Sequence, residues 1–598
     1  MRVSIRRAAL AAVIITCVSA GLPAVPAHAF ATYYVTNTAN SGTGSLRDAI
    51  NDANGNPGLD SIVFTIKGAG THMITPKSDL PEITESLIIT GYTQGDAAPA
   101  TATSPARLNV IINGVNMSDG LVIRANASLV TGLDVRNVAG PGKVCGGAGI
   151  CVLGDNNFVL GDRIGVGADG AVPLPNAGDG VYVRGKDDWI GGPNPADRNV
   201  ISGNDGNGVA VSGTGNHVAG NYIGTGADGT TDLGNGRNGV RLDGGPASVG
   251  GTTGSSGNLI SGNGGDGIEV GPAADGCVIL GNRVGVNADA DDVLPNDAAG
   301  VELHSNDNIV GGTADGEFNI LAGNIGDGLD VNVPSAGNTI QGNFIGNAPG
   351  PVQLPNRGHG VALLSGLAST LAGNTVAGNR KAGVYVPGDN QVIQGNLIGV
   401  ATDTTGALVR MGNGTDGIRL LADDVQVGGD GPGLGNTISA NGGNGISVEP
   451  TGQDIPILGN AVYDNTVMPI DLLPYGPDSN DSLDGDTGAN NRQNNPTPTG
   501  ALAGAGTTTV RWQLMSTPDT DYRLEFFAGP TCAAAGTTFL GSTAAATGPM
   551  GNDASPAAGT VLGVPAAAGS WLVATATEIT PAGTFGATSE FSFCIQVA

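Results

Sequence analysis

A glycine, an aliphatic residue, one variable residue and a second aliphatic residue recur twelve times between Gly120 and Gly445, mostly 28 to 34 residues apart. The first aliphatic position reads Leu121, Ile150, Val181, Val209, Val240, Ile268, Val301, Leu329, Val361, Val384, Ile418 and Ile446. The second runs from Ile123 and Val152 through Leu303 and Val331 to Val448. Two apolar positions separated by one variable position mark a short strand with one buried face, so the variable residue faces outward. Runs such as DWIGG and NVISGN add strand-sized segments between Gly- and Asn-rich turns. Three short strands per repeat of about 30 residues, with no helical period, predict the coils of a parallel β-helix.

Asparagines close many of these runs: Asn204, Asn221, Asn263, Asn282, Asn324, Asn343, Asn379, Asn396, Asn441 and Asn460. Stacked coils would line them into ladders whose amides bond the coils above and below. A longer period of about 60 residues overlies the first, in IGVGADGAVPLPN, IGTGADGTTDLGN, VGVNADADDVLPN, IGNAPGPVQLPN and IGVATDTTGALVRMGN. It predicts longer loops on one side of the solenoid in alternate layers.

The exposed end of such a stack needs a cap. SLRDAINDAN, from Ser45, places Leu46, Ala49, Ile50 and Ala53 on one face of a short helix. At the other end the pattern changes at DSNDSLDGDTGANNRQNNPTPTG. Beyond it VRWQLMS, YRLEFFAG, SWLVATATEI and SEFSFCIQV alternate as strands of a separate β-sandwich. The expected organisation is a signal peptide over 1–29, an N-terminal cap with first coils over 30–118, β-helix repeats over 119–475, an Asp/Asn/Gly-rich linker over 476–500 and a β-sandwich over 501–598.

Composition sharpens this reading. The chain has 598 residues, 103 of them Gly, with 4% aromatic and 13% charged residues, which suits a turn-rich repeat array with a sizeable core. Arg2, Arg6 and Arg7, the apolar run from Ala8 to Val18 and Ala27-His28-Ala29 form a secretory signal with cleavage after Ala29. Cleavage takes the formal charge from −28 to −31, which excludes nucleic acid and anionic membranes as partners. No later apolar stretch is long enough to span a bilayer. The expected protein is a secreted, extracellular or cell-surface monomer. In that oxidising setting Cys145 pairs with Cys151 and Cys532 with Cys594, while Cys277 is a small core residue.

TANSGTGSLRDAINDAN resembles the N-terminal signature of bacterial secreted CSLREA-domain proteins, although Gly44 stands where that signature often has Cys. The repeats resemble those of the right-handed parallel β-helix proteins of the pectate-lyase-like superfamily. The run from Asp484 to Asn490 and the final TSEFSF also occur in many such proteins. The resemblance, with the general bias of parallel crossovers, implies a right-handed solenoid of about 12 coils. It says much less about activity.

Gly358-His359-Gly360 matches a tripeptide in polygalacturonase active sites. The residue before the repeat glycine is Asp or Asn in eight of twelve copies, so His359 occupies a turn position. The other polygalacturonase signatures are absent.

The outward lane of the repeat strand is the stronger candidate. In order it reads Val122, Cys151, Tyr182, Ala210, Arg241, Glu269, Glu302, Asp330, Ala362, Tyr385, Arg419 and Ser447. Arg241, Glu269, Glu302 and Asp330 fall on consecutive coils and form the candidate catalytic group. Asp243, His304 and Asn332 face the same way, and with Tyr182, Tyr385 and Arg419 form the candidate substrate-binding group. Crowded carboxylates raise one another's pKa, so one can serve as acid and another as base. The same row could instead hold Ca²⁺ against an acidic sugar with an arginine as base, as in the lyases the repeats resemble. The bland alternative is a solvated acidic surface, which a chain with 53 acids readily produces.

Asp478, Asn480, Asp484 and Asp486, with Asp481, offer oxygen ligands for Ca²⁺ near a Gly-rich turn, although EF-hand spacing is incomplete. His72, His217, His304 and His359 show no metal-ligand spacing, and no phosphate loop or nucleophile elbow is present. The expected function is to bind or act on extracellular polysaccharide or cell-surface glycan, as a lyase or glycoside hydrolase. The alternative is a non-catalytic adhesive or structural surface protein.

Overall fold

The computed structural model describes residues 30–598 except 168, 254 and 475; the expected signal peptide lies outside the described residues. Three long parallel sheets of 15, 14 and 13 strands run the length of the repeat region. The first extends from Thr32–Val35 to Ile457–Leu458, the second from His72–Ile74 to Ala461–Tyr463, and the third from Leu121–Ile123 to Ile470–Leu472. Each coil adds one strand to each sheet in turn, which makes the region a parallel β-helix solenoid. The third sheet contains all twelve repeat strands and a thirteenth, Ile470–Leu472, where Pro469 stands in the glycine position.

The aliphatic rows of the three sheets meet in one continuous core. In a single coil Ile190, Ile201, Val209 and Val211 are essentially fully buried. The repeat glycine is required by close approach: a Cβ on Gly239 would stand 2.3 Å from the Ile260 side chain and 2.7 Å from the Gly267 carbonyl oxygen.

Asparagines stitch the coils along two lines. One passes from Asn176 through Asn204, Asn235, Asn263 and Asn296 to Asn465; the other from Asn199 through Asn221, Asn258 and Asn282 to Asn460. At Asn263, Nδ2 donates to Asn296 Oδ1 at 2.9 Å, while Oδ1 accepts from Asn235 Nδ2 at 2.9 Å. Each amide therefore satisfies its neighbours out of water, where an unmade bond costs about 1–3 kcal/mol.

The longer period becomes a row of hairpins after alternate strands of the second sheet. Antiparallel contacts close them at Val166 with Pro173, Thr225 with Asp232 and Val286 with Val293. Two more join Asn347–Ala348 to Val352–Gln353 and Val400–Thr402 to Leu408–Arg410. The first three hairpins touch in succession: Ala227 N–H donates to Gly170 O and Ala288 N–H to Gly229 O, both at 3.0 Å.

Helix α1, Leu46–Asn54, covers the first coil with Leu46, Ala49, Ile50 and Ala53 buried, and its N-cap Ser45 accepts from Asp48 N–H. At the other end two antiparallel sheets pack into a sandwich around Val510, Trp512, Leu524, Phe526 and Leu572. The sandwich reaches back to the last coils with side-chain acceptors. Glu525 Oε2 takes the Gly459 N–H at 2.8 Å, Thr588 Oγ1 the Ile457 N–H at 2.9 Å, and Glu590 Oε1 the Leu472 N–H at 3.0 Å. Disulfides join Cys145 to Cys151 and Cys532 to Cys594; Cys277 is buried and free. Among the described residues no helix is long and apolar enough to cross a membrane.

Candidate functional site

Strand pairing in the third sheet places the outward residues in one register. Ala210, Arg241, Glu269, Glu302, Asp330, Ala362, Tyr385, Arg419 and Ser447 are successive cross-strand partners, and Asp471 extends the lane by one coil. The carboxylates thus stand on adjoining strands ~4.8 Å apart.

Side chains two residues further on converge with them. Arg241 Nε donates to Asp243 at 2.8 Å and its Nη1 to Glu269 at 2.7 Å; Asn238 Nδ2 also donates to Glu269. Glu302 accepts from Asn332 Nδ2 at 2.8 Å and stands 3.3 Å from His304 Nε2. Tyr182 and Tyr385 lie at either side of this group, four and three strands from Glu302. Arg419 pairs with Glu449 further along.

The turn preceding each lane strand adds residues that sequence reasoning assigned only to turn geometry. There a side-chain oxygen accepts a backbone N–H of the next coil: Asp179 from Asn207 at 2.7 Å, Asp266 from Ala299 at 2.9 Å and Asp327 from His359 at 2.5 Å. Asp266 stands beside Glu302, and Asp327 beside Asp330, close enough that Glu302 helps Asp266 keep its proton and Asp327 helps Asp330 keep its own. The site therefore holds two layers of acids. Its signal in the sequence is the coincidence of a turn acid with a lane acid, in DGIE and DGLD. His359 is both the turn occupant and part of this group, with its ring stacked on Tyr385 at 4.7 Å between centroids.

Burial, reinforced by Asp327, Glu302 and Asp266, pushes the Asp330 carboxyl up to about 8. Burial and the neighbouring Glu302 push Asp266 up to about 7. Burial lowers the His359 imidazole despite the attraction of Asp327. Asp330 Oδ1 and His359 Nδ1 are buried without a hydrogen-bond partner among the described residues. The arrangement can hold a proton on Asp330 at neutral pH beside Glu302.

A groove of about 420 Å³ adjoins the acids on the Arg241 side, lined by Asp179, Tyr182, Ala210, Arg237, Arg241 and Asp243 among others. Two acidic groups could gather a cation. Ligand atoms of Glu269, Glu302 and His304 lie within 4.8 Å of one another, as do those of Asp481, Asp484 and Asp486. The first set mixes imidazole with carboxylates, which suits a transition ion and does not fit Ca²⁺. In the second, Asp484 already accepts from Asn494 N–H and Ser516 Oγ, and Asp486 faces Arg492. Of the other residues expected there, Asn480 bonds the backbone of Asn495 in both directions, and Asp478 faces Arg492 at 3.8 Å.

No protein-family model matches the chain, and no curated protein does. Among solved structures, the alginate lyase AlyF-OU02 aligns with TM-score 0.33 and 10% identity over 66% of this chain and 93% of that one. The tailspike protein gp49 of the Acinetobacter baumannii bacteriophage Fri1, a capsular polysaccharide depolymerase, aligns with TM-score 0.15 and 8% identity over 90% of this chain and 77% of that one. At such scores neither likeness bears on what this chain does. The parallel β-helix stands on its own strand pairing, and no comparison shows membership of the CSLREA-domain or pectate-lyase-like proteins.

Proposed function

We propose that the protein is an exported enzyme that hydrolyses a polysaccharide laid along the outer face of the third sheet. The observation that carries this is the pairing of Asp330, a carboxyl that keeps its proton at neutral pH, with Glu302 on the adjoining strand. Asp330 would protonate the leaving oxygen of a glycosidic bond as general acid. The second carboxylate would be Glu302 or Glu269. With strands ~4.8 Å apart, rotamers could set a neighbouring carboxyl at the ~5–5.5 Å of retaining enzymes, or one two strands away within the ~6.5–9.5 Å of inverting ones.

Tyr182 and Tyr385 would support the glycan on either side of the cleaved bond. A lyase reading is weaker, because Arg241, the cation nearest the acids in the lane, is held by Asp243 and Glu269 and is not free to act as base. The two disulfides fit an oxidising compartment.

The test is product release from neutral and acidic polysaccharides, followed by reducing ends and ultraviolet absorbance together, for the parent protein and Asp330→Asn. Reducing ends without absorbance, falling at least 100-fold in the variant and declining above about pH 8 as Asp330 loses its proton, are expected. Absorbance would indicate a lyase. Absence of product from every substrate would return the face to binding or structural duty.

A further inference from the structure

The lane dips where Ala210 presents a single methyl between Tyr182 and Arg241, and the groove of about 420 Å³ opens there. Its rim is the turn Gly236-Arg237-Asn238 stacked on Gly264-Gly265. The turn hugs the coil before it: a Cβ on Gly236 would stand 2.5 Å from the Asp205 carbonyl oxygen.

Two guanidinium groups meet in this groove. Arg241 commits Nε to Asp243 and Nη1 to Glu269, which leaves Nη2 uncommitted among the described residues. Arg237 is exposed on the rim, and no described carboxylate lies within ion-pair distance of it. Of the two acids that line the groove, Asp243 is neutralised by Arg241. Asp179 is engaged by the backbone and side-chain N–H groups of Asn207 at 2.7 and 2.9 Å. In a chain of formal charge −28 the two arginines and two acids that line the groove balance in number, and Arg237 is the lining cation that no described ion pair engages. Beside it the Tyr182 ring, its hydroxyl fixed by Ser212 Oγ at 3.1 Å, offers a flat face for a sugar ring.

We propose that the groove is a subsite for a sugar bearing an anionic substituent, a carboxylate or a sulfate, and that Arg237 determines this specificity. Arg237 supplies a planar fork of donors matched to either oxyanion, and the uncommitted Nη2 of Arg241 adds a second contact. The inference rests on the proposed glycan-cleaving face and names the class of glycan that face accepts. Arg237 is a binding residue outside the acid–base group.

Three length-matched oligosaccharide series decide it: uronate-bearing, the same series with carboxyls reduced to alcohols, and sulfated. Binding is measured by calorimetry in an Asp330→Asn background, with and without Arg237→Gln. The expected result is tighter binding of one anionic series than of the reduced series, lost about ten-fold in Arg237→Gln, with reduced-series binding unchanged. Whether the uronate or the sulfated series responds identifies the anion. Partial recovery in Arg237→Lys, with weakening at higher salt, would support charge recognition.

Equal weakening for anionic and reduced series, no weakening for any, or no binding at all would overturn the subsite. Failure of the cleavage reading looks different. Anion-selective binding with no product from the parent protein leaves the subsite standing, and product without anion selectivity leaves cleavage standing.

Discussion

The asparagine ladders and the acidic lane are both built by placing one polar side chain per coil at the strand spacing, yet they differ in how completely those groups are satisfied. An amide both donates and accepts, so Asn235, Asn263 and Asn296 complete one another with nothing left over. Carboxylates only accept when ionised, so Glu269, Glu302 and Asp330 repel in register and need Arg241, Asn332 or a retained proton. Repetition of a self-complementary group gives structure; repetition of a group that cannot complete itself leaves capacity for chemistry.

Cutting a ladder should have the largest effect. Asn263→Ala strands the Asn235 backbone N–H and Nδ2 donors and takes the Nδ2 donor from Asn296 Oδ1, all buried. A loss of about 3 kcal/mol is expected, read as a lowered denaturant midpoint. A shift of a few tenths would mean that water replaces the amide and that the ladders are not what holds the stack.

An acid in a separate, shorter row with two asparagines sharpens the contrast. Asp188 is fully buried between Asn157 and Asn216; its Oδ2 has no described partner, and burial pushes its carboxyl up to about 7. A carboxyl that holds its proton more tightly when folded stabilises fully below its unfolded value near 4. That stabilisation is lost as pH rises to about 7. Asp188→Asn should therefore add on the order of 1 kcal/mol at pH 8 and little at pH 4, visible as a flatter melting temperature against pH. A variant as pH-sensitive as the parent would place the titration elsewhere, with Asp162 and Asp134, both buried with raised carboxyls, the next to replace.

The smallest effect on stability is expected in the lane. Glu302→Gln removes one of several like charges and should leave unfolding within about 0.5 kcal/mol of the parent while product release falls. A large loss of stability would make Glu302 a structural acceptor for Asn332 and His304, and the lane would resemble the ladders after all.

The spacing of the repeat glycines was enough to read the third sheet and its lane, because a period of two within each strand and one strand per coil admits a single register. Ile470–Leu472 escaped that reading because Pro469 replaces the glycine there. The asparagines were legible as stacking residues but not as two separate lines. Hairpins of unequal length intervene before Asn235, Asn296, Asn356 and Asn413, so sequence spacing hides their common position. Asp266, Asp327 and His359 were recognised as turn residues. Their second role depends on side chains reaching across coils, which no one-dimensional period encodes.

The alternating hairpins set the unit in which such a molecule can lengthen. Among the first three hairpins each rests on the one two coils away, Ala227 on Gly170 and Ala288 on Gly229, while the ladders ask only for an amide in every coil. Inserting one coil would keep the ladders and break the ridge; inserting two would keep both and extend the rod by ~9.6 Å. Tandem duplication of about 60 residues is thus the step in which this protein could gain or lose reach without refolding its neighbours.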